Sequence, residues 1–208
     1  GSSLAVLSNF DGSNSPLVLI GAPGTNGNSG DVFLLEGDEA IYGGDLDDAI
    51  MNISGSGGNY VGRGISQDLD LDADGLSDIF GHYMNSSNNY YWLLYGGAPY
   101  SSINVSSADA RLSTSGTHAN SWRHMPSSGD LNGDGFTDIV HCDYRENSNG
   151  NYQGYYTSEI NVFWGSSERY SIPSPQSISS VGSQIYSASG GNSSVGDGHN
   201  VLAACGIM

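Results

Sequence analysis

Apolar residues in this chain come in short bursts set between long polar stretches. Three bursts close on a glycine: Val32-Phe-Leu-Leu-Glu-Gly37, Tyr90-Tyr-Trp-Leu-Leu-Tyr-Gly96 and Ile160-Asn-Val-Phe-Trp-Gly165. Their β-branched and aromatic residues and their Gly/Ser/Asn flanks predict strands. They are too short, and too closely bounded by turn residues, for helices. These strands are expected to be buried. A second kind of burst follows an Asp-Gly turn, as in Leu17-Val-Leu-Ile20, Ile79-Phe80 and Ile139-Val140.

The Asp-Gly turns recur. Their glycines are Gly12, Gly75, Gly135 and Gly198, which gives intervals of 63, 60 and 63 residues. A period of this size marks a repeated supersecondary unit rather than a chance motif. Each repeat is expected to hold four strands: one before the Asp-rich loop, one after it, the aromatic run, and a weaker outer strand. That outer strand is placed at Ala40-Ile-Tyr42 in the first repeat and at Ser102-Ile-Asn-Val105 in the second. Four-stranded units repeated every 60 residues predict an all-β fold, a β-propeller of antiparallel blades. The blades are expected at residues 4–56, 57–114, 115–182 and, in part, 183–208, all within one propeller region spanning 1–208. About three and a half blades do not close a ring, so the remainder of the ring is expected from further chain or from another chain.

Two of the loops carry the chemistry. In one, Asp70, Asp72 and Asp74 occupy positions 1, 3 and 5, Gly75 position 6 and Asp78 position 9. In the other, Asp130, Asn132 and Asp134 fill positions 1, 3 and 5, with Gly135 at 6 and Asp138 at 9. Alternate residues of a tight loop can aim oxygens at one centre, and the carbonyls of Leu76 and Phe136 at position 7 can add another. Hard oxygen donors select Ca2+, whereas zinc would call for His or Cys. Two calcium sites are therefore expected. An EF-hand is excluded because its position 12 requires Glu, and Gly81 and His141 stand there. No calcium is expected at the eroded loops around Asp11 and Asp197. The cluster Asp45, Asp47 and Asp48 lacks the spaced glycine and reads as a solvated connection.

These loops, together with Ile20-Gly-Ala-Pro23, resemble the FG-GAP repeat of integrin α-subunit propellers and their bacterial relatives. Ser128-Gly-Asp-Leu-Asn-Gly-Asp-Gly-Phe-Thr-Asp-Ile139 is especially similar to that family's loop. The resemblance implies a secreted, calcium-bearing β-propeller, usually of seven blades. Gly-Ala-Pro is intact only in the first repeat. Its expected counterparts are Gly81-His-Tyr, His141-Cys-Asp and Ala204-Cys-Gly.

Bulk composition narrows the function. The 208 residues hold 22 acidic side chains against 5 basic ones, for a formal charge of −17. No lysine is present, so a polybasic surface for nucleic acid or anionic membrane is excluded. No apolar run is long enough to enter a bilayer as a helix. At 37% hydrophobic the chain has ample material for a core. No nucleophile elbow with ordered partners and no lysine-bearing phosphate loop occurs. With the secreted propeller that the resemblance implies, the chain is expected to be non-catalytic: an extracellular or cell-surface module for adhesion, scaffolding or protein assembly with a protein or glycan ligand. The alternatives are a glycan-binding lectin propeller or part of a polysaccharide-degrading enzyme. Trp92 and Trp164 are expected in the core between blades. Cys142 and Cys205 are left as either an inter-blade bridge or two buried thiols.

Overall fold

The computed structural model describes residues 1–66, 68–85, 88–97, 101–113, 127–147, 155–177 and 182–190. The His118–His124 segment, the fourth Asp-Gly turn at Asp197, and Cys205 lie outside them.

Three antiparallel sheets follow one another along the chain. The first consists of β1 (Ser3–Leu7), β2 (Leu17–Ala22), β3 (Asp31–Glu36) and β4 (Met51–Ser54), paired in that order. The second pairs β5 (Gly64–Ile65), β6 (Ile79–Asn85), β7 (Asn88–Leu94) and β9 (Ala110–Ser113). The third pairs β10 (Ser127–Gly129), β11 (Asp138–Asn147), β12 (Tyr155–Phe163) and β14 (Ser183–Gly190). Two strands tie consecutive sheets together. β8 (Ile103–Asn104) adds in parallel to β4, and β13 (Ile172–Ser177) adds in parallel to β9. Each repeat thus lends a strand to the outer edge of the sheet before it. The described chain is all-β apart from short turns and the helix Gly37–Tyr42.

The outer strands fall about ten residues later than the sequence suggests. Ala40–Tyr42 is helical, and Tyr42 is 87% exposed. The outer strand of the first sheet is instead β4, where Met51 and Ile53 are buried and Asn52 and Ser54 are half-buried. That alternation supplies the apolar face a strand needs, which Ala40–Tyr42 does not. In the second repeat Ile103–Asn104 is extended but belongs to the first sheet. The last strand that the second repeat gives to its own sheet is β9, where Ala110 and Leu112 are fully buried. A third difference concerns the last boundary. Residues 183–190 pair with β12, so they complete the third sheet rather than begin a fourth.

Sheets stack face to face. One core lies between the first and second sheets, with Leu7, Leu19, Leu34 and Ile53 on one side and Ile65, Ile79 and Trp92 on the other. A second core lies between the second and third sheets, from Phe80, Tyr91, Leu93 and Leu112 to Ile139 and Phe163. The middle sheet is therefore buried on both faces, which explains its unbroken apolar run. Trp92 is fully buried in the first core, while Trp164 is half-buried. Gly81 sits directly opposite Trp92, and a Cβ there would run into the indole. The glycine is a packing requirement.

Candidate metal-binding loops

The two acidic loops connect corresponding strands, β5 to β6 and β10 to β11. Each is built by the same backbone bonds to its own carboxylates. At position 1, Asp70 accepts from the N–H groups of Asp74 and Gly75, both at 3.1 Å. Asp130 accepts from Asp134 and Gly135 at 3.1 and 3.0 Å. The position-5 carboxylates of Asp74 and Asp134 accept from the N–H groups of Leu76 and Phe136. At position 9, Asp78 accepts from Leu71 and from Gly96 across the sheet, at 2.7 and 2.9 Å. Asp138 accepts from Leu131 and Gly165, both at 2.9 Å. Asp78 and Asp138 are fully buried. Position 9 thus anchors the loop to the end of the third strand of its sheet, beyond any metal role.

This cage needs two left-handed residues, at positions 4 and 6. Ala73 and Gly75 supply them at φ 55° and 83°, and Gly133 and Gly135 at 78° and 91°. The same geometry identifies the counterpart in the first repeat, where Gly12 and Asn14 take φ 82° and 58°. Its bonds match too: Ser13 donates to Asp11, Asn14 to Asn9, and Ser15 to Ser13. Gly12 therefore corresponds to Ala73 rather than to Gly75. The Asp-Gly pair is the obvious sequence marker, yet it marks position 4 in one loop and position 6 in the others. In this register Asn9, Asp11, Ser13 and Leu17 occupy positions 1, 3, 5 and 9. One carboxylate remains among four side chains.

The acidic loops stack on one another through backbone. Thr137 donates its N–H to the Asp70 carbonyl at 3.2 Å, and Ser77 donates to the Asn9 carbonyl at 2.8 Å. Beside them, burial pushes the Asp68 carboxyl up, but bonds from Ser77 and Ser8 outweigh it and leave the group below its usual range.

Side chains distinguish the two loops. Asp70, Asp72 and Asp78 place one carboxylate oxygen each within 4.8 Å of one another, a cluster that could hold a metal ion. Burial, and secondarily the charges of Asp72 and Asp70, push the Asp78 carboxyl up to about 7 against two backbone donors. Converged, poorly solvated carboxylates with no histidine or cysteine among them suit a hard divalent cation. In the other loop, Asn132 donates its amide to Asp134 at 2.8 Å, and Asp130, Asp134 and Asp138 do not form such a cluster. Its donor set still suits the same ion. The N–H groups of Leu76 and Phe136 at position 7 point into the loop, toward Asp74 and Asp134. Asp45, Asp47 and Asp48 form an exposed 3₁₀ turn, as the missing glycine suggested.

Sequence reasoning missed Arg169. It comes from the turn after β12, 97 residues from Asp72, and pairs through Nε with Asp72 and through Nη2 with Asp74. Its guanidinium also lies 5.0 Å from the centre of the Tyr95 ring. Tyr95 in turn accepts the Tyr170 N–H at 3.0 Å, and burial raises its phenol above the ordinary value. No local pattern announces such a contact.

Comparison with known families places this geometry. Residues 70–141, from the first ligand position of one loop past the last of the other, match the FG-GAP-like repeat family. No curated protein matches the chain. Among the described residues no helix is long and apolar enough to cross a membrane.

Proposed function

We propose that this FG-GAP repeat chain is a calcium-stabilised β-propeller module that works outside the cell in adhesion, scaffolding or protein assembly and catalyses no reaction. The observation that carries the reading is the recurrence of one carboxylate cage at equivalent places in consecutive sheets. Asp70, Asp72, Asp74, Asp78 and the Leu76 carbonyl would hold one ion. Asp130, Asn132, Asp134, Asp138 and the Phe136 carbonyl would hold the second. Bound calcium supplies charge neutralisation; the chain supplies the loop that presents its oxygens. The role follows from where the cages sit. Each bridges the second strand of a sheet to the end of the third and touches the loop of the preceding repeat, so closing it stiffens one end of the stack. Millimolar calcium outside cells matches the affinity of partly solvated loops of this kind.

Stacked sheets that share a core between each pair are the building plan of a propeller. The open face of the first sheet supports a larger ring: Leu4 and Val6 are 62% and 50% exposed, beside half-buried Val18, Ile20 and Phe33. A further sheet, from more of the same protein or from another chain, would cover them. Thermal melting with and without chelator tests the calcium reading. Chelation is expected to lower Tm and a low millimolar calcium supplement to restore it. An unchanged melt overturns the reading.

A further inference from the structure

We propose that Arg169 is an internal competitor for the cation at the 70–78 loop, so that calcium binding there and the arginine clasp between the second and third sheets oppose each other. This rests on the calcium reading above. The reasoning starts from Asp74. Its Oδ1 accepts the Leu76 N–H at 2.8 Å and its Oδ2 is taken by Arg169, so both oxygens are engaged. Asp74 accordingly stands outside the cluster formed by Asp70, Asp72 and Asp78. Asp72 belongs to that cluster, and Arg169 also holds its Oδ2. The guanidinium therefore sits on two of the four carboxylates assigned to the ion. It places a positive charge where a second one must enter.

The 130–138 loop provides the contrast. There position 5 is held by a neutral amide from Asn132. Among the described residues no cationic side chain is seen on it. The backbone around Arg169 is secured separately, by Ser166 donating to the Leu71 carbonyl at 2.8 Å and by Tyr170 bonded to Tyr95. The arginine can thus leave the carboxylates without unfastening its turn. Linkage makes the effect reciprocal: whatever factor Arg169 costs the ion, the ion costs the Arg169 clasp. Loop 70–78 becomes the weaker site, and calcium concentration sets how firmly the side chains of two repeats are joined.

Two measurements on the full chain test this. Calcium is titrated calorimetrically into chelator-stripped wild type, R169Q and R169K, and the Arg Nε–H signals are followed by 15N NMR. With 5 basic residues, all arginine, the Arg169 signal is assigned by its loss in R169Q. R169Q is expected to tighten one site roughly tenfold and leave the other unchanged. R169K, which keeps the charge, stays near wild type. In the wild type the Arg169 Nε–H signal should shift as calcium saturates. Equal or weaker binding by R169Q, or an Arg169 signal that stays put at saturation, overturns the competitor role while leaving the calcium reading intact. Absence of calcium binding in every protein overturns both. If R169Q fails to fold, the loss of the same signal in R169K supplies the assignment and the wild-type shift decides.

Discussion

Asp78 shows how much one position is asked to do. Its two oxygens take N–H groups from Leu71 and Gly96, which joins the loop to β7, and it shares a cluster with Asp70 and Asp72. Burial and those neighbouring charges raise its pKa from 3.8 to about 7. The sign follows from linkage: a raised carboxyl favours the folded state while protonated in it, so this contribution is complete below about 3.8 and is lost as pH rises through about 7. In chelator, wild-type stability is expected to fall across that window by an amount on the order of 4 kcal/mol relative to D78N, which cannot ionise. Urea unfolding at several pH values measures the difference. Parallel profiles for the two proteins would show that Asp78 does not carry the effect. The residue scale also shows where sequence reading stopped. The spacing of Asp70, Asp72, Asp74 and Asp78 was visible because ligands of one loop are close in sequence. Arg169 was invisible because 97 residues separate it from its partner.

At the scale of elements, strand identity followed from composition and strand position did not. The glycine-terminated bursts became β3, β7 and β12 because β-branched and aromatic residues between turn formers have few other uses. Outer strands were misplaced because a weakly apolar segment becomes a strand only if a sheet edge is available to it. Ile103–Asn104 found the edge of the preceding sheet, and Ala40–Tyr42 found none and turned helical. The pair Gly81–Trp92 belongs at this scale, since the glycine makes room on β6 for an indole on β7. G81A is expected to destabilise the protein by about 1–3 kcal/mol through overpacking. Chemical denaturation checks this, and a loss below about 0.5 kcal/mol would show that the indole moves aside freely.

For the whole molecule, the two faces of the first sheet invite a direct comparison. Leu34 is buried in the core shared with the second sheet, and Val6 is half-exposed on the open face. L34A is expected to cost about 2–5 kcal/mol, the usual range for a large-to-small change in a core. V6A is expected to change the stability of this chain by less than about 0.5 kcal/mol. In the complete assembly, if a further sheet covers that face, V6A should become as costly as a core truncation. Denaturation of the chain alone and of the full assembly reads the difference. A V6A cost that stays negligible in the assembly would argue against a covered face.

By itself the sequence determined that the chain is built of β repeats near 60 residues and that two of its loops gather carboxylates at alternate positions. Both are local properties: strand bursts, turn glycines and ligand spacing are written within about ten residues of each other. Register was harder, because what the loops share is a pair of left-handed residues, and Gly12, Asn14 and Ala73 meet that demand with different side chains. Only the tertiary structure decided which strand joins which sheet, that each repeat lends a strand to its predecessor, and that an arginine from one repeat sits on the carboxylates of another. Those outcomes depend on which edge, face or charge lies within reach once the sheets stack, and reach is a property of the fold rather than of neighbouring residues.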